Sequence, residues 1–317
     1  MIKFGTGGWR AIIGEEFTKE NIQKLALAMS LKIKAEHVED KPVVIGYDRR
    51  FLSKEAVIWS CEIFGQQGIK VLFVDRSSPT PLIMFYVMKH DLSYGMMVTA
   101  SHNPAIYNGI KVFTAGGRDA DRTVTDKIES EIAQIDPDKI QSMDYDAAVA
   151  AGMITEHNPT NEYIDSILSA IDVEAIKNAQ LRIALDPMYG VSQTSLSMIL
   201  MTCRCDLEII HDRHDTLFGG KLPAPDGHTR PRSDQHRLPR QIRRNVSMFL
   251  ASPITFPNLG ITVDPSPVAF TVFGKDIYWY GIIIASGFLL AVLYMLHRAK
   301  DFGVTQDDVL DMILWAV

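Results

Sequence analysis

Cysteine is scarce in this 317-residue chain, which has only Cys61, Cys203 and Cys205. Three cysteines cannot build a disulfide framework, so small stapled scaffolds are excluded and a reducing compartment suits the front of the chain. Cys203-x-Cys205 has no partner cluster to suggest zinc. Fifteen prolines and 21 glycines are too few for a collagen-like or low-complexity chain, and 47% hydrophobic residues exclude wholesale disorder. Lysine is missing between Lys221 and Lys275, and charge of either sign is missing from Ile277 to Leu296. What remains is unevenly spread. The net charge of −6 hides 23 basic and 31 acidic residues over 1–227, against nine and seven over 228–317. Six arginines crowd into residues 228–244: Arg230, Arg232, Arg237, Arg240, Arg243 and Arg244.

From Met1 to about Pro225, short β-branched runs alternate with amphipathic stretches. Val43 to Asp48 reads as a buried strand, Lys54 to Gln67 as a helix and Lys70 to Asp75 as a second strand. A helix from about Leu82 to Lys89 leads to a third strand, Gly95 to Thr99. Such alternation predicts an α/β layer with a largely parallel sheet. After a polar bridge near residues 136–160 the pattern restarts. It gives a helix from about Asn161, a strand Leu181 to Asp186, a helix from about Val191 and a strand Leu207 to His211. The expected domains are a complete αβα layer over 1–135 and a partial one over 155–225.

Residues 226–253 carry Pro, Arg, His and Ser with no apolar period. They read as a disordered basic linker, as a nucleic-acid arm, or as a stretch that never evolved as folded protein. No aromatics interleave with the arginines to stack bases, so no nucleic-acid partner is expected. Within 254–317, the uncharged run 277–296 covers about 30 Å at helical rise, the depth of a bilayer's hydrocarbon core. Tyr278, Trp279 and Tyr280 flank one end, and His297, Arg298 and Lys300 the other. A transmembrane helix is the expectation, with a buried core helix as the alternative. The front domain would then be cytoplasmic and anchored to a membrane.

The chemistry-bearing segment is Thr99-Ala100-Ser101-His102-Asn103-Pro104, followed by Tyr107-Asn108-Gly109-Ile110-Lys111. A serine directly after a buried strand stands at the sheet's C-terminal edge, where α/β proteins place ligands. His102 and Asn103 can hydrogen-bond what the serine carries, and Lys111 can return as a cation or acid/base group.

These two strings resemble the active-serine loop of the α-D-phosphohexomutases, the phosphoglucomutase/phosphomannomutase family. Phe4-Gly5-Thr6-Gly7-Gly8-Trp9-Arg10 is similar to that family's N-terminal loop. Gly46-Tyr47-Asp48-Arg49-Arg50 with Ser53 is similar to its first strand and helix start, and Ser78-Pro79-Thr80-Pro81 to a loop before the serine. Asp186-Pro187-Met188-Tyr189-Gly190 and His214 to Gly220 look like its second domain, so the similarity spans residues 1 to about 225. The resemblance implies that Ser101 carries a phosphoryl group between hexose 1- and 6-phosphates. It also implies Lys111 as the acid/base group on the sugar hydroxyl, Arg10 as a phosphate clamp and His102 as support for the serine loop. Mg²⁺ would sit between the phosphoseryl oxygen of Ser101 and an aspartate loop. The similarity ends at Pro225, before that loop, so the expectation is a truncated, inactive mutase-like chain.

Residues 254–317, with Val263 to Phe270 and Tyr278-Trp279-Tyr280-Gly281, resemble the start of prolipoprotein diacylglyceryl transferase, a multi-span membrane enzyme. None of that family's catalytic residues can be carried over to this segment. Two alternatives to a mutase-like enzyme follow: a membrane protein fragment of the transferase class, or a chimeric reading frame with no function of its own.

Overall fold

A computed structural model of the chain describes residues 2–5 and 7–223, together with four short strands between residues 254 and 278. It divides into two units, 1–238 and 239–317.

In the first unit, strands alternate their side chains between two apolar layers, as the twofold period of a strand requires. β1 (Trp9–Ile12) precedes α1 (Lys19–Ala35), and β2 (Val43–Tyr47) leads into α2 (Ser53–Gln66). Then come β3 (Val71–Val74), α3 (Thr80–Lys89), β4 (Tyr94–Val98), β5 (Tyr107–Thr114), β6 (Arg118–Asp119) and α4 (Arg122–Ile132). α5 (Tyr145–Ala150) and β7 (Ile154–His157) complete the layer. Val43 and Ile45 of β2, with Phe73 and Met96 on its neighbours, pack with Leu25, Ala26, Val57 and Phe64 from α1 and α2. Val44 and Met97 point the other way, onto Leu82, Ile83 and Val87 of α3. Helices therefore cover both faces, which is why these strands read as continuous apolar runs.

The sheet runs β1-β5-β4-β2-β3-β7, with β6 beside β5. β2 pairs parallel with β3 and β4, and β3 parallel with β7. β5 pairs antiparallel with β1, β4 and β6. The expected largely parallel sheet is thus mixed. The cause is the serine loop: β4 returns directly as β5 through residues 99–106, with no crossover helix. The sheet also takes in β7 at its edge, beyond the residue 135 at which the sequence pattern pauses.

α6 (Thr160–Ala170), α7 (Val173–Asn178), β8 (Arg182–Leu185), α8 (Ser192–Thr202) and β9 (Asp206–Ile209) form a smaller layer. β8 and β9 pair parallel as a two-stranded sheet.

In the second unit, β10 (Ile254–Phe256) pairs antiparallel with β11 (Ile261–Val263), and β12 (Val268–Val272) with β13 (Lys275–Tyr278). Ile277 and Tyr278, the first two residues of the expected membrane helix, thus lie in a strand, because their backbone pairs with β12. The remainder of that helix, 279–296, and the expected linker 226–253 lie outside the described residues. Among the described residues no helix is long and apolar enough to cross a membrane.

Candidate active site

Ser101 sits three residues beyond β4 with φ +56°, a left-handed conformation that costs a non-glycine residue free energy. Local hydrogen bonds hold it there. Its amide donates to Thr99 Oγ1 at 3.0 Å, and the Thr99 hydroxyl donates in turn to Asp48 Oδ2 at 2.6 Å. The Asn103 amide donates to the Ala100 carbonyl, and that of Tyr107 to the Pro104 carbonyl, closing two successive turns. The side chain of Ser101 is exposed, with Oγ 3.3 Å from His102 Nδ1.

Beneath the loop lies Arg50, its side chain fully excluded from solvent. Its Nη2 donates to the carbonyls of Ser101 and Asn103, each at 2.8 Å. Nη1 donates to those of Pro104 and Tyr107, each at 2.9 Å. One planar guanidinium thus satisfies four carbonyls of the serine loop, which a lysine's single point of charge cannot do. Asp48 Oδ2 approaches Arg50 Nε at 3.4 Å. The half-buried Asp48 carboxylate also accepts from the Arg50 amide and the Ser53 hydroxyl, each at 2.9 Å. Burial pushes the Asp48 carboxyl above the usual range, opposed by these hydrogen bonds and by the guanidinium. Burial also draws the Arg50 guanidinium below its ordinary value, with Asp48 pulling the other way. Asn108, wholly buried, fixes the far side by donating to the Phe51 carbonyl and the Ser53 hydroxyl.

The other expected residues gather at the N-terminal loop. Arg10 lies opposite Gly109 in the β1/β5 ladder and donates from Nη1 to Asn103 Oδ1 at 3.0 Å. A Cβ on Gly109 would lie 2.1 Å from the Trp9 carbonyl oxygen, so only glycine permits this close pairing. Lys111 lies opposite Met97 on β4, with its Nζ 3.5 Å from Asp119 Oδ1. A Cβ placed on Gly7 would meet Lys111 Nζ at 3.6 Å and Arg10 Nη2 at 3.8 Å, so the two cations face the same space. A cleft of about 550 Å³ opens beside it, lined by Gly5, Gly7, Gly8, Lys111, Asp119 and Arg122 among others.

Ser101 and His102 are therefore in contact, Arg10 is tied to the serine loop through Asn103, and Arg10 and Lys111 converge over Gly7. No hydrogen bond or ion pair joins Ser101 to Lys111 or Arg10. The sequence reading missed Arg50 and Asp48 as site residues. Their available signal was two opposite charges directly following an apolar strand, where burial demands a partner.

Among the described residues, no group of three or more His, Cys, Asp or Glu side chains converges to hold a metal ion. Ser101 Oγ has an imidazole beside it, and hard oxygen donors are what Mg²⁺ requires. The described residues do not supply the expected Mg²⁺ ligand set.

Residues 1–139 match the model of the phosphoglucomutase/phosphomannomutase α/β/α domain I, and residues 267–317 match that of prolipoprotein diacylglyceryl transferase. A phosphoglucosamine mutase of Prochlorococcus marinus is 31% identical over 226 residues, covering 71% of this chain and 47% of the relative. A phosphoglucomutase/phosphomannomutase of Thermococcus kodakarensis is 29% identical over 228 residues, covering 70% and 47%. The chain spans about half the length of these curated relatives. A solved structure described as a phosphomannomutase from Thermus thermophilus superposes with a TM-score of 0.64 at 25% identity. That superposition covers 81% of this chain and 53% of the other. Over residues 1–139 the chain is thus similar to the α/β/α domain I of phosphoglucomutases and phosphomannomutases.

Proposed function

We propose that the front of this chain is a phosphohexomutase-type phosphoryl carrier, with Ser101 accepting a phosphoryl group from a hexose bisphosphate. The observation that carries the reading is the exposed Ser101 hydroxyl, held in a strained turn whose four carbonyls are fixed by one buried guanidinium. Phosphoryl transfer asks a protein mainly for in-line positioning and for cations around the transferred oxygens. Here positioning comes from the Arg50 staple, and cations from Arg10 and Lys111. In the transfer, Ser101 Oγ forms a bond to phosphorus while the phosphorus–oxygen bond to the sugar breaks. The serine proton goes to His102 Nδ1, which lies 3.3 Å away, and Lys111 protonates the departing sugar oxygen.

The test is to incubate the purified chain with glucose 1,6-bisphosphate and follow intact mass. One added phosphoryl group is expected in the parent and none in Ser101→Ala. Lys111→Met should slow acceptance by about 100-fold. Phosphate on any other residue, or equal labelling of Ser101→Ala, overturns the assignment. Full interconversion of hexose 1- and 6-phosphates by the chain alone is expected to be undetectable, because its similarity to the family stops short of the aspartate loop that holds Mg²⁺.

A second reading rests on one observation: residues 1–139 and 267–317 match two unrelated families. It holds that the arginine-rich residues 226–253 join two gene starts. Long-read sequencing of transcripts across that stretch decides it, since one uninterrupted frame in independent reads removes the joining.

A further inference from the structure

Arg50 is covered from one side by the smaller α/β layer. Phe218 places its ring 5.0 Å from the guanidinium carbon, close enough for a cation–π contact that also excludes water. Phe218 is itself buried and takes φ +52°, so both ends of the Arg50 bridge, Ser101 and Phe218, are held in left-handed backbone. The turn around Phe218 is held locally: Asp215 accepts from the Leu217 amide through Oδ1 at 2.9 Å and from the Gly219 amide through Oδ2 at 3.2 Å. Gly219 packs so tightly on Tyr189 that a Cβ there would lie 2.5 Å from the phenol oxygen. The neighbouring residue is gripped as well. Arg49 donates to the Asp212 carbonyl at 3.2 Å and to Gln193 Oε1 at 2.8 Å, while His214 Nε2 lies 3.1 Å from the Arg49 carbonyl.

Four contacts from residues 193–218 thus converge on the pair Arg49–Arg50, and Arg50 is the residue whose four donors shape the serine loop. An arginine that spends four N–H groups on carbonyls holds them only while water is kept off its face, because water competes for the same donors and acceptors. We infer that Phe218 is a positioning residue for Ser101: by closing the open face of Arg50, the smaller α/β layer sets the geometry of the serine loop. The role is one of coupling, since Phe218 acts on the serine loop through Arg50 and does not line the cleft beside Lys111. The inference rests on reading Ser101 as the phosphoryl acceptor, but its structural half is measurable without any phosphoryl transfer.

The experiment compares Phe218→Leu, which keeps an apolar side chain but loses the aromatic face, with Phe218→Tyr, which retains that face, in the full chain. Amide hydrogen exchange is read for peptides covering 99–108 and, as an internal reference, for β2 and β3. Leucine is expected to raise exchange at least severalfold in 99–108 while leaving β2 and β3 unchanged, and tyrosine to restore the parent pattern. Phosphoryl acceptance from glucose 1,6-bisphosphate should fall about tenfold in Phe218→Leu, with half-saturation unchanged, as expected for misplacement of a nucleophile. Parent-like exchange in Phe218→Leu overturns the inference. So does exchange that rises equally in β2 and β3, or a tyrosine that fails to restore the loop. A parent chain that accepts no phosphoryl group refutes the carrier reading alone, and the exchange comparison still decides the role of Phe218.

Discussion

Two aspartates occupy the same place in the two α/β layers, each directly after a parallel strand, and their surroundings differ sharply. Asp48 follows β2, which is buried at four of its five positions. Its carboxylate receives two hydroxyls and a backbone amide beside the Arg50 guanidinium. Asp186 follows β8, of which only Leu185 is buried. Its carboxylate accepts the Met188 amide at 2.9 Å and faces His211 Nδ1 at 3.1 Å. A strand covered on both faces fixes the residues that follow it, and there Asp48 and Arg50 meet beneath the serine loop and hydrogen-bond to it. In the two-stranded sheet the same aspartate ties its own turn to His211, just beyond β9, and among the described residues carries no buried arginine beside it. The core of the smaller layer contains Ile164, Ile199, Cys203 and Cys205, while Leu181, Met198 and Met201 remain exposed. The larger effects should therefore come from the first layer. Phe73→Ala, at a side chain 1% exposed, is expected to cost about 4 kcal/mol, and Ile199→Ala, at 8%, about 2 kcal/mol. Urea titration measures both, and equal losses would break the contrast.

The next largest effect tests the charge pairs themselves. Arg50→Lys keeps the positive charge but cannot serve four carbonyls, so it leaves buried acceptors unpaired. A loss of about 3 kcal/mol is expected. Asp186→Asn keeps an acceptor for the Met188 amide and should cost no more than about 1 kcal/mol. Denaturant melts of the two variants rank the aspartate environments directly, and a milder Arg50→Lys would show that water replaces the guanidinium.

Much of this layout was legible in the sequence because buried parallel strands leave a strong apolar signal. β2, β3 and β4, with the helices between them, stand where the pattern puts them. The direction of β5 was not legible. A short polar loop after a strand looks the same whether the chain crosses over through a helix or turns straight back, and here it turns back at Ser101. The site divides in the same way. Ser101, His102, Arg10 and Lys111 lie within recognisable local strings. Arg50 acts on carbonyls 51 to 57 residues away, and nothing local distinguishes it from Arg49, its partly exposed neighbour. Phe218 is further still from what it covers. The uncharged run 277–296 shows the opposite hazard: a membrane-length apolar signal whose first two residues pair as a strand.

The smallest expected effect concerns Asp215, which shapes the turn that presents Phe218. Hydrogen bonds from the Leu217 and Gly219 amides, with Arg213 at 3.1 Å, hold its carboxyl below the usual aspartate range. A depressed carboxyl contributes stability that is fully present above its unfolded value, about 3.9, and is lost as pH falls through the folded value. The turn should therefore be intact at pH 5 and above, and loosen only at pH values below about 3.9. Amide chemical shifts of Leu217 and Gly219 report it directly. Both should titrate together with one midpoint below that of an ordinary aspartate, and Asp215→Asn should remove the titration. A midpoint at or above the ordinary value would mean that the two amides do not favour the charged carboxylate. The turn under Phe218 would then owe its shape to the packing of Gly219 on Tyr189 instead.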